Sequence, residues 1–386
     1  METTALTEKE QLPTQKLDYV DALRGLAILG VVIVHTSRAG SSDLPSVLNK
    51  ITGEGSRGVQ LFYLASAFTL FLSYYKRNSN ELNPIRNFFL RRFFRIAPMY
   101  YLGVGYYLYE NNFGPSLWLA EVDHITFGNI LSNITFLHGF NPYHINSIVP
   151  GGWSIAVEMT FYLTLPILFV RIKNLNQAFN FLLFTLILRL ALNAFFVHYP
   201  LVSHDRLWGG YLIKYFPSQL PVFALGIMLF FMVAKQEMLS SISGKSILIF
   251  VGLILVQLVT KTNFIFANHI IFSIAFLLLG IGVSKYRPRI LVNKLMNYIG
   301  KISFSIYLVH FAVIFALTDY NLIDFHSNAV ISFAIRFVVV LALSIGIASL
   351  TYSSIEEPFV HLGKRIITRM ERITKDEQSK ITDSAL

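Results

Sequence analysis

The 386-residue chain contains no cysteine. Disulfides, thiol catalysis and thiolate metal sites are therefore excluded, and cysteine usage says nothing about the redox compartment. Charge is scarce: Asp, Glu, Lys and Arg make up 14% of the residues, where a soluble protein carries about 25%. There is no P-loop, no Rossmann glycine pattern and no HExxH, so the usual nucleotide, dinucleotide and zinc-peptidase signatures are missing. No GxSxG nucleophile elbow occurs either. The first residues, METTALTEKEQLPTQKLDY, are polar and acid-rich. They lack the basic start and small-residue cleavage site of a signal peptide. Roughly thirty residues follow the last apolar run, so no soluble catalytic domain is expected there.

What is abundant is apolar surface. Hydrophobic residues make up 54% of the chain and the mean hydropathy is +0.54. The 34 Phe and 19 Tyr suit lipid-facing helices with interfacial rings. A bilayer crossing needs about 20 apolar residues. Ten runs approach that length: Val20–Thr36, Val59–Tyr75, Phe93–Tyr109, Trp153–Val170, Ala178–Val197, Tyr215–Ala234, Ile247–Thr260, Asn268–Ser284, Ile302–Leu317 and Ala329–Tyr352. The expected fold is an all-α polytopic membrane protein, a bundle of about ten transmembrane helices. Basic clusters follow the second, fourth, sixth and eighth runs, while the loop from Glu110 to Gly152 has no Lys or Arg. By the positive-inside rule both termini are then cytoplasmic. The net charge of +10 sits in these short blocks, so it encodes topology and not nucleic-acid binding. The expected organisation is a polar cytoplasmic segment over 1–16, a membrane domain over 17–359 and a basic, polar cytoplasmic tail over 360–386. No internal repeat is visible, which weakens a transporter built from inverted halves. The long outer loop, HITFGNILSNITFLHGFNPYHINS, suits a short amphipathic helix, and its Asn133-Ile134-Thr135 sequon is of a kind common by chance.

Several polar side chains interrupt the apolar runs. Arg24 and His35 are eleven residues apart, about three turns, and so share one helix face about 16 Å apart along the axis. They are either a cytoplasmic anchor and an interfacial residue, or two groups facing a pathway inside the bundle. In GGWSIAVEMTFYLTLP, Ser154, Glu158 and Tyr162 form one stripe at i, i+4, i+8. A buried glutamate needs a partner; His35, Arg189 and Arg336 are the candidates, and a structural Glu–Arg pair is the plain alternative. Arg91, Arg92 and Arg95 open the third run. Such a cluster suits phosphate oxygens of a nucleotide or a lipid headgroup, or topology alone. In GKISFSIYLVH, Ser303, Tyr307 and His310 share a face. Glu356 and Glu357 close the tenth run as helix-end features.

Arg24-x10-His35, GVQLFYLASAF, LRRFFRIAPMYY, WSIAVEMTFYL, GKISFSIYLVH and the terminal EEPF occur in the order seen in acyltransferase family three. The chain resembles these integral-membrane acyltransferases, which include glycan O-acetylases, from about Leu17 to Phe359. The resemblance implies an acyl-CoA donor, usually acetyl-CoA, and an acceptor hydroxyl, often on a cell-surface sugar. It implies that the pair matching Arg24 and His35 is essential, that the cluster matching Arg92 and Arg95 serves the CoA phosphates, and that Glu158 has a role. It also makes a bacterial inner membrane the expected location. Gln60 stands where the family often has an acid, and Ala67 where glycine is common. Many members carry a fused extracytoplasmic domain, so this chain is expected to act alone or with a separate extracytoplasmic partner.

On this reading His35, Arg24 and Glu158 are the catalytic candidates. Arg91, Arg92 and Arg95 bind the donor, and Trp153, Ser154, Tyr307 and His310 the acceptor. No metal is expected. Developing oxyanion charge falls to Arg24, Arg189 or Arg336. The rivals are a polysaccharide or lipid-linked-sugar transporter, which need not bind CoA, and an export subunit of a surface-polysaccharide assembly system.

Overall fold

The computed structural model describes residues 17–41, 43–78, 80–114, 124–260 and 265–384. The segment expected over 1–16 lies outside them. Among the described residues there is no strand. The helices are α1 Asp18–Arg38, α2 Ser46–Gly53, α3 Gly58–Arg77, α4 Pro84–Glu110, α5 Phe127–Ile134, α6 Gly152–Arg171, α7 Leu175–His198 and α8 Asp205–Lys214. There follow α9 Phe216–Val233, α10 Gly244–Thr260, α11 Asn268–Tyr286, α12 Lys294–Lys301, α13 Ser303–Asp319, α14 Ala329–Thr351 and α15 Glu357–Ser384.

Each of the ten apolar runs lies in one helix and overhangs it by at most one residue: α1, α3, α4, α6, α7, α9, α10, α11, α13 and α14; α4 begins nine residues before its run. Length and apolarity alone qualify six stretches to cross a membrane: α1, α6, α7, α8 with α9, α11, and the continuous helix beginning at α14. A seventh is the pair α12 and α13, bent by 76° at Ile302. α3 and α4 fall short because polar side chains dilute them; α3 carries Gln60 and Ser66, and α4 carries Arg91, Arg92 and Arg95. α10 is a 17-residue helix.

α9 is the centre of the bundle. Every residue from Ser218 to Phe231 is buried, as a helix apolar on all sides requires. Aromatic rings bind it to its neighbours: Phe223 stacks on Phe161 of α6 at 4.0 Å and on Tyr63 of α3 at 4.5 Å. At Gly226 the α9 backbone meets α3 so closely that a Cβ would collide with the Leu64 carbonyl. Without a hydrophobic drive between helices in lipid, such close approach is what holds them. α12 meets α1 in the same way, with Gly300 against the Asp21 carbonyl.

The C-terminal residues expected as a cytoplasmic tail are helical. α14 passes through a π-turn at Tyr352–Glu356 into α15 without a break at residue 360. α15 packs on α4, and Glu371 accepts from the Leu82 and Asn83 amides at 2.8 and 3.2 Å and from Asn87 Nδ2 at 2.8 Å. Of these donors the Asn83 amide, at the N-cap, is one that a helix start leaves without a partner. The short helix expected in the outer loop is α5, opened by a Thr126–Asn129 capping box. Asn133 of the sequon is buried and accepts from Tyr100 Oη at 2.8 Å, so it does not present its amide to solvent.

Candidate active site

α1, α3, α4, α6 and α13 line a partly open cavity. Arg24 from α1 and Arg92 and Arg95 from α4 project into it. Arg24 donates to Thr69 Oγ1 at 3.1 Å, and the Arg92 guanidinium lies 5.8 Å from the Tyr162 ring centre. Beside them Glu158 accepts hydrogen bonds from Ser66 Oγ and from Tyr162 Oη, the latter at 2.7 Å. One turn further along α6, hydroxyls replace charges. Ser154 Oγ donates to Tyr307 Oη at 2.8 Å, Tyr307 Oη donates to the Gly151 carbonyl at 2.9 Å, and Tyr63 Oη donates to the Ser154 carbonyl at 3.1 Å. The cavity thus has a cationic end and a hydroxyl end, with one carboxylate between them. Three guanidinium groups against that single carboxylate make it a place for an anion. Arg92 Nε is buried and has no hydrogen-bond partner among the described residues, and a buried donor of that kind calls for an acceptor.

The expected stripe Ser154, Glu158 and Tyr162 therefore faces one cavity, as do Ser303 and Tyr307 of α13. Arg92 and Arg95 line it as well, but Arg91 does not join them. Its guanidinium makes a two-pronged pair with Glu81 at 2.7 and 3.1 Å, because adjacent residues on a helix point about 100° apart. None of the three partners anticipated for Glu158 bonds to it. Arg189 donates to Ser218 Oγ and the Ile265 carbonyl, Arg336 is held at the end of α1, and His35 pairs with His310. His35 Nδ1 and His310 Nε2 are 3.0 Å apart. Neither imidazole lines the cavity; Tyr307, whose ring centre is 5.9 Å from that of His310, stands between. Trp153 is half-buried with its ring edge-on to Tyr63, and it too is not among the lining residues.

Sequence reasoning passed over Ser66 and Tyr63. Their signal was present: Tyr63, Ser66 and Thr69 recur every three residues in an apolar run. It also read Glu356 as a helix-end feature, whereas the π-turn buries it with Ser305 Oγ donating at 3.0 Å, within electrostatic reach of Arg95 and Arg24. Among the described residues no three His, Asp or Glu side chains gather as metal ligands do.

Among the described residues the chain is a helical bundle with several stretches long and apolar enough to cross a membrane, around a cavity with a cationic end and a hydroxyl end. The chain belongs to the acyltransferase domain family, whose profile matches residues 17–353. It is similar to a Staphylococcus aureus (strain COL) protein provisionally named an O-acetyltransferase, 26% identical over 382 residues that cover 89% of this chain and 58% of that protein. A similarly named protein of S. aureus strain MSSA476 is 26% identical over 374 residues, covering 88% and 56%. The acyltransferase MdmB of Streptomyces mycarofaciens is 26% identical over 171 residues, covering 42% and 41%. The chain thus spans 58% of the length of the first of these relatives. No solved structure matches it.

Proposed function

We propose that the protein is an O-acyltransferase that moves an acyl group, acetyl in the first instance, from cytoplasmic acyl-CoA to a hydroxyl of a cell-surface or lipid-linked glycan. The observation that carries this reading is the cavity: a cationic end with an orphaned Arg92 Nε, joined to a hydroxyl end, in a chain of an acyltransferase family. Arg92 and Arg95 suit the CoA phosphates, since guanidinium forks match phosphate oxygens. The thin pantetheine arm then runs past Arg24 and Glu158 and carries the thioester to the Ser154–Tyr307 end, next to the histidine pair. His35 is the general base, a neutral imidazole near pH 7. It takes the proton of the acceptor hydroxyl as that oxygen attacks the thioester carbonyl. The C–O bond forms, the C–S bond breaks, and the proton leaves with the CoA thiolate. Of the three arginines weighed for oxyanion charge, Arg24 is the one in the cavity. Glu158 holds the acceptor from the middle of the cavity, and Trp153 and Ser154 flank its outer end. The positive-inside pattern supports both termini in the cytoplasm of a bacterial inner membrane, with any separate extracytoplasmic partner on the opposite side.

Acetyl-CoA binding and turnover by detergent-purified protein test this. Wild type should bind. Arg92→Ala/Arg95→Ala should bind about 100-fold more weakly, from about 1.5–3 kcal/mol per hydrogen bond to a charged group and tenfold per 1.4 kcal/mol. His35→Ala should bind and fail to transfer. No CoA affinity in folded wild type would leave the transporter reading in its place.

A further inference from the structure

His310 Nδ1 lies 3.2 Å from the carbonyl oxygen of Ile306, one turn back on α13. A carbonyl only accepts, so this nitrogen carries the hydrogen. In a neutral ring Nε2 is then an acceptor. That Nε2 faces His35 Nδ1 at 3.0 Å. His35 Nδ1 must therefore donate, and its hydrogen fixes the other nitrogen, Nε2, as the one with a lone pair. Phe311 packs against both imidazoles at 4.3 Å, and His310 is fully buried, so neither ring is free to turn over.

We propose that His310 is a positioning residue: oriented by the Ile306 carbonyl, it holds His35 in the Nδ1–H tautomer and so presents the His35 Nε2 lone pair for proton abstraction. Histidine free in water favours the opposite tautomer, with hydrogen on Nε2 and so no lone pair there to accept a proton. The inference rests on His35 being the base. It gives the second histidine a task that packing alone does not: the ring opposite must be an acceptor at the Nε2 position.

The test is the nitrogen spectrum of 15N-histidine-labelled full-length protein in lipid nanodiscs at pH 7.5, with the His35 signals assigned by their loss in His35→Ala. The expected result is hydrogen on His35 Nδ1 and a pyridine-type Nε2. In His310→Leu, similar in bulk and unable to accept, His35 should move to Nε2–H. Acyl transfer should fall by about 100-fold, the low end of what a positioned base supplies, with the KM for acyl-CoA unchanged. His310→Gln, whose Oε1 reaches the same place, should restore the tautomer and most of the rate. Hydrogen on His35 Nε2 in the wild type would overturn the proposal, as would a His310→Leu spectrum that keeps Nδ1–H. The wild-type spectrum decides even if His310→Leu does not fold. If the tautomer is as stated and His35→Ala still transfers at full rate, the base reading fails and the pair loses its catalytic purpose.

Discussion

Arg336 carries a prediction whose size follows from its contacts. The residue is 2% exposed. Its Nε donates to the Ile323 carbonyl at 2.8 Å, one terminal nitrogen donates to the Thr36 carbonyl at 3.0 Å, and the other meets Asp324 at 2.6 Å. Thr36 directly follows His35, so the guanidinium caps the last turn of α1, where the Thr36 carbonyl otherwise accepts only from the Ala39 amide at 3.4 Å. The space is tight: a Cβ on Gly40 would overlap the guanidinium. In Arg336→Ala two buried carbonyls each lose a charged donor, about 1.5–3 kcal/mol apiece. Asp324, its side chain 35% exposed, adds at most about 1 kcal/mol. The expected loss is about 3–7 kcal/mol. At roughly 2 °C per kcal/mol, the midpoint of thermal unfolding in detergent should fall by about 6–14 °C. Asp324→Asn should cost far less. Hydrogen bonds from Ser41, with the Arg336 charge, hold the Asp324 carboxyl below its ordinary value. A lowered pKa in the folded state stabilises above the unfolded value of about 3.9 and is lost as pH falls through the folded one. The Asp324 contribution should therefore be constant from pH 5 to 8, a span set by that value, and vanish only in stronger acid. The reasoning is refuted if Arg336→Ala shifts the midpoint by less than about 2 °C, or if Asp324→Asn costs as much.

Three more outcomes are expected. Glu158→Gln keeps an acceptor for Ser66 and Tyr162 while removing the charge, so the protein should stay folded and bind acetyl-CoA, with transfer down by about 100-fold or more; unchanged turnover in an acyl-transfer assay would remove Glu158 from the mechanism. Gly226→Ala should destabilise by about 1–3 kcal/mol, because the methyl group meets the Leu64 carbonyl, whereas Gly252→Ala, with nothing within 4 Å, should be neutral or stabilising; parallel melting curves check both. Glu371→Ala strands the donors at the start of α4, so amide hydrogen exchange at Leu82 and Asn83 should speed up by about tenfold or more; unchanged protection would show that α15 does not hold α4.

The helices were legible because each apolar run carries its own length, and a run long enough to bury its backbone in lipid folds as a helix whatever surrounds it. Periodicity also placed Ser154, Glu158 and Tyr162 on one face, and Ser303 with Tyr307, since residues four apart on a helix share a side. The sequence by itself therefore determined the ten apolar helices and which side chains travel together on them, but not α2, α8, α12 or α15, which lie outside the apolar runs. It did not determine which faces meet. Arg91, Arg92 and Arg95 look like one cluster in the chain, yet the packing of α4 turns Arg91 to Glu81 and the other two to Glu158. His35 and His310 are 275 residues apart, and only the crossing of α1 and α13 makes them a pair. The 76° bend at Ile302 and the π-turn that buries Glu356 are likewise settled by neighbours. The physical reason is that helix formation is paid by bonds local to four residues, whereas the site is made by contacts between helices. Those depend on close approaches such as Gly226 on Leu64 and Gly300 on Asp21, which no local pattern encodes.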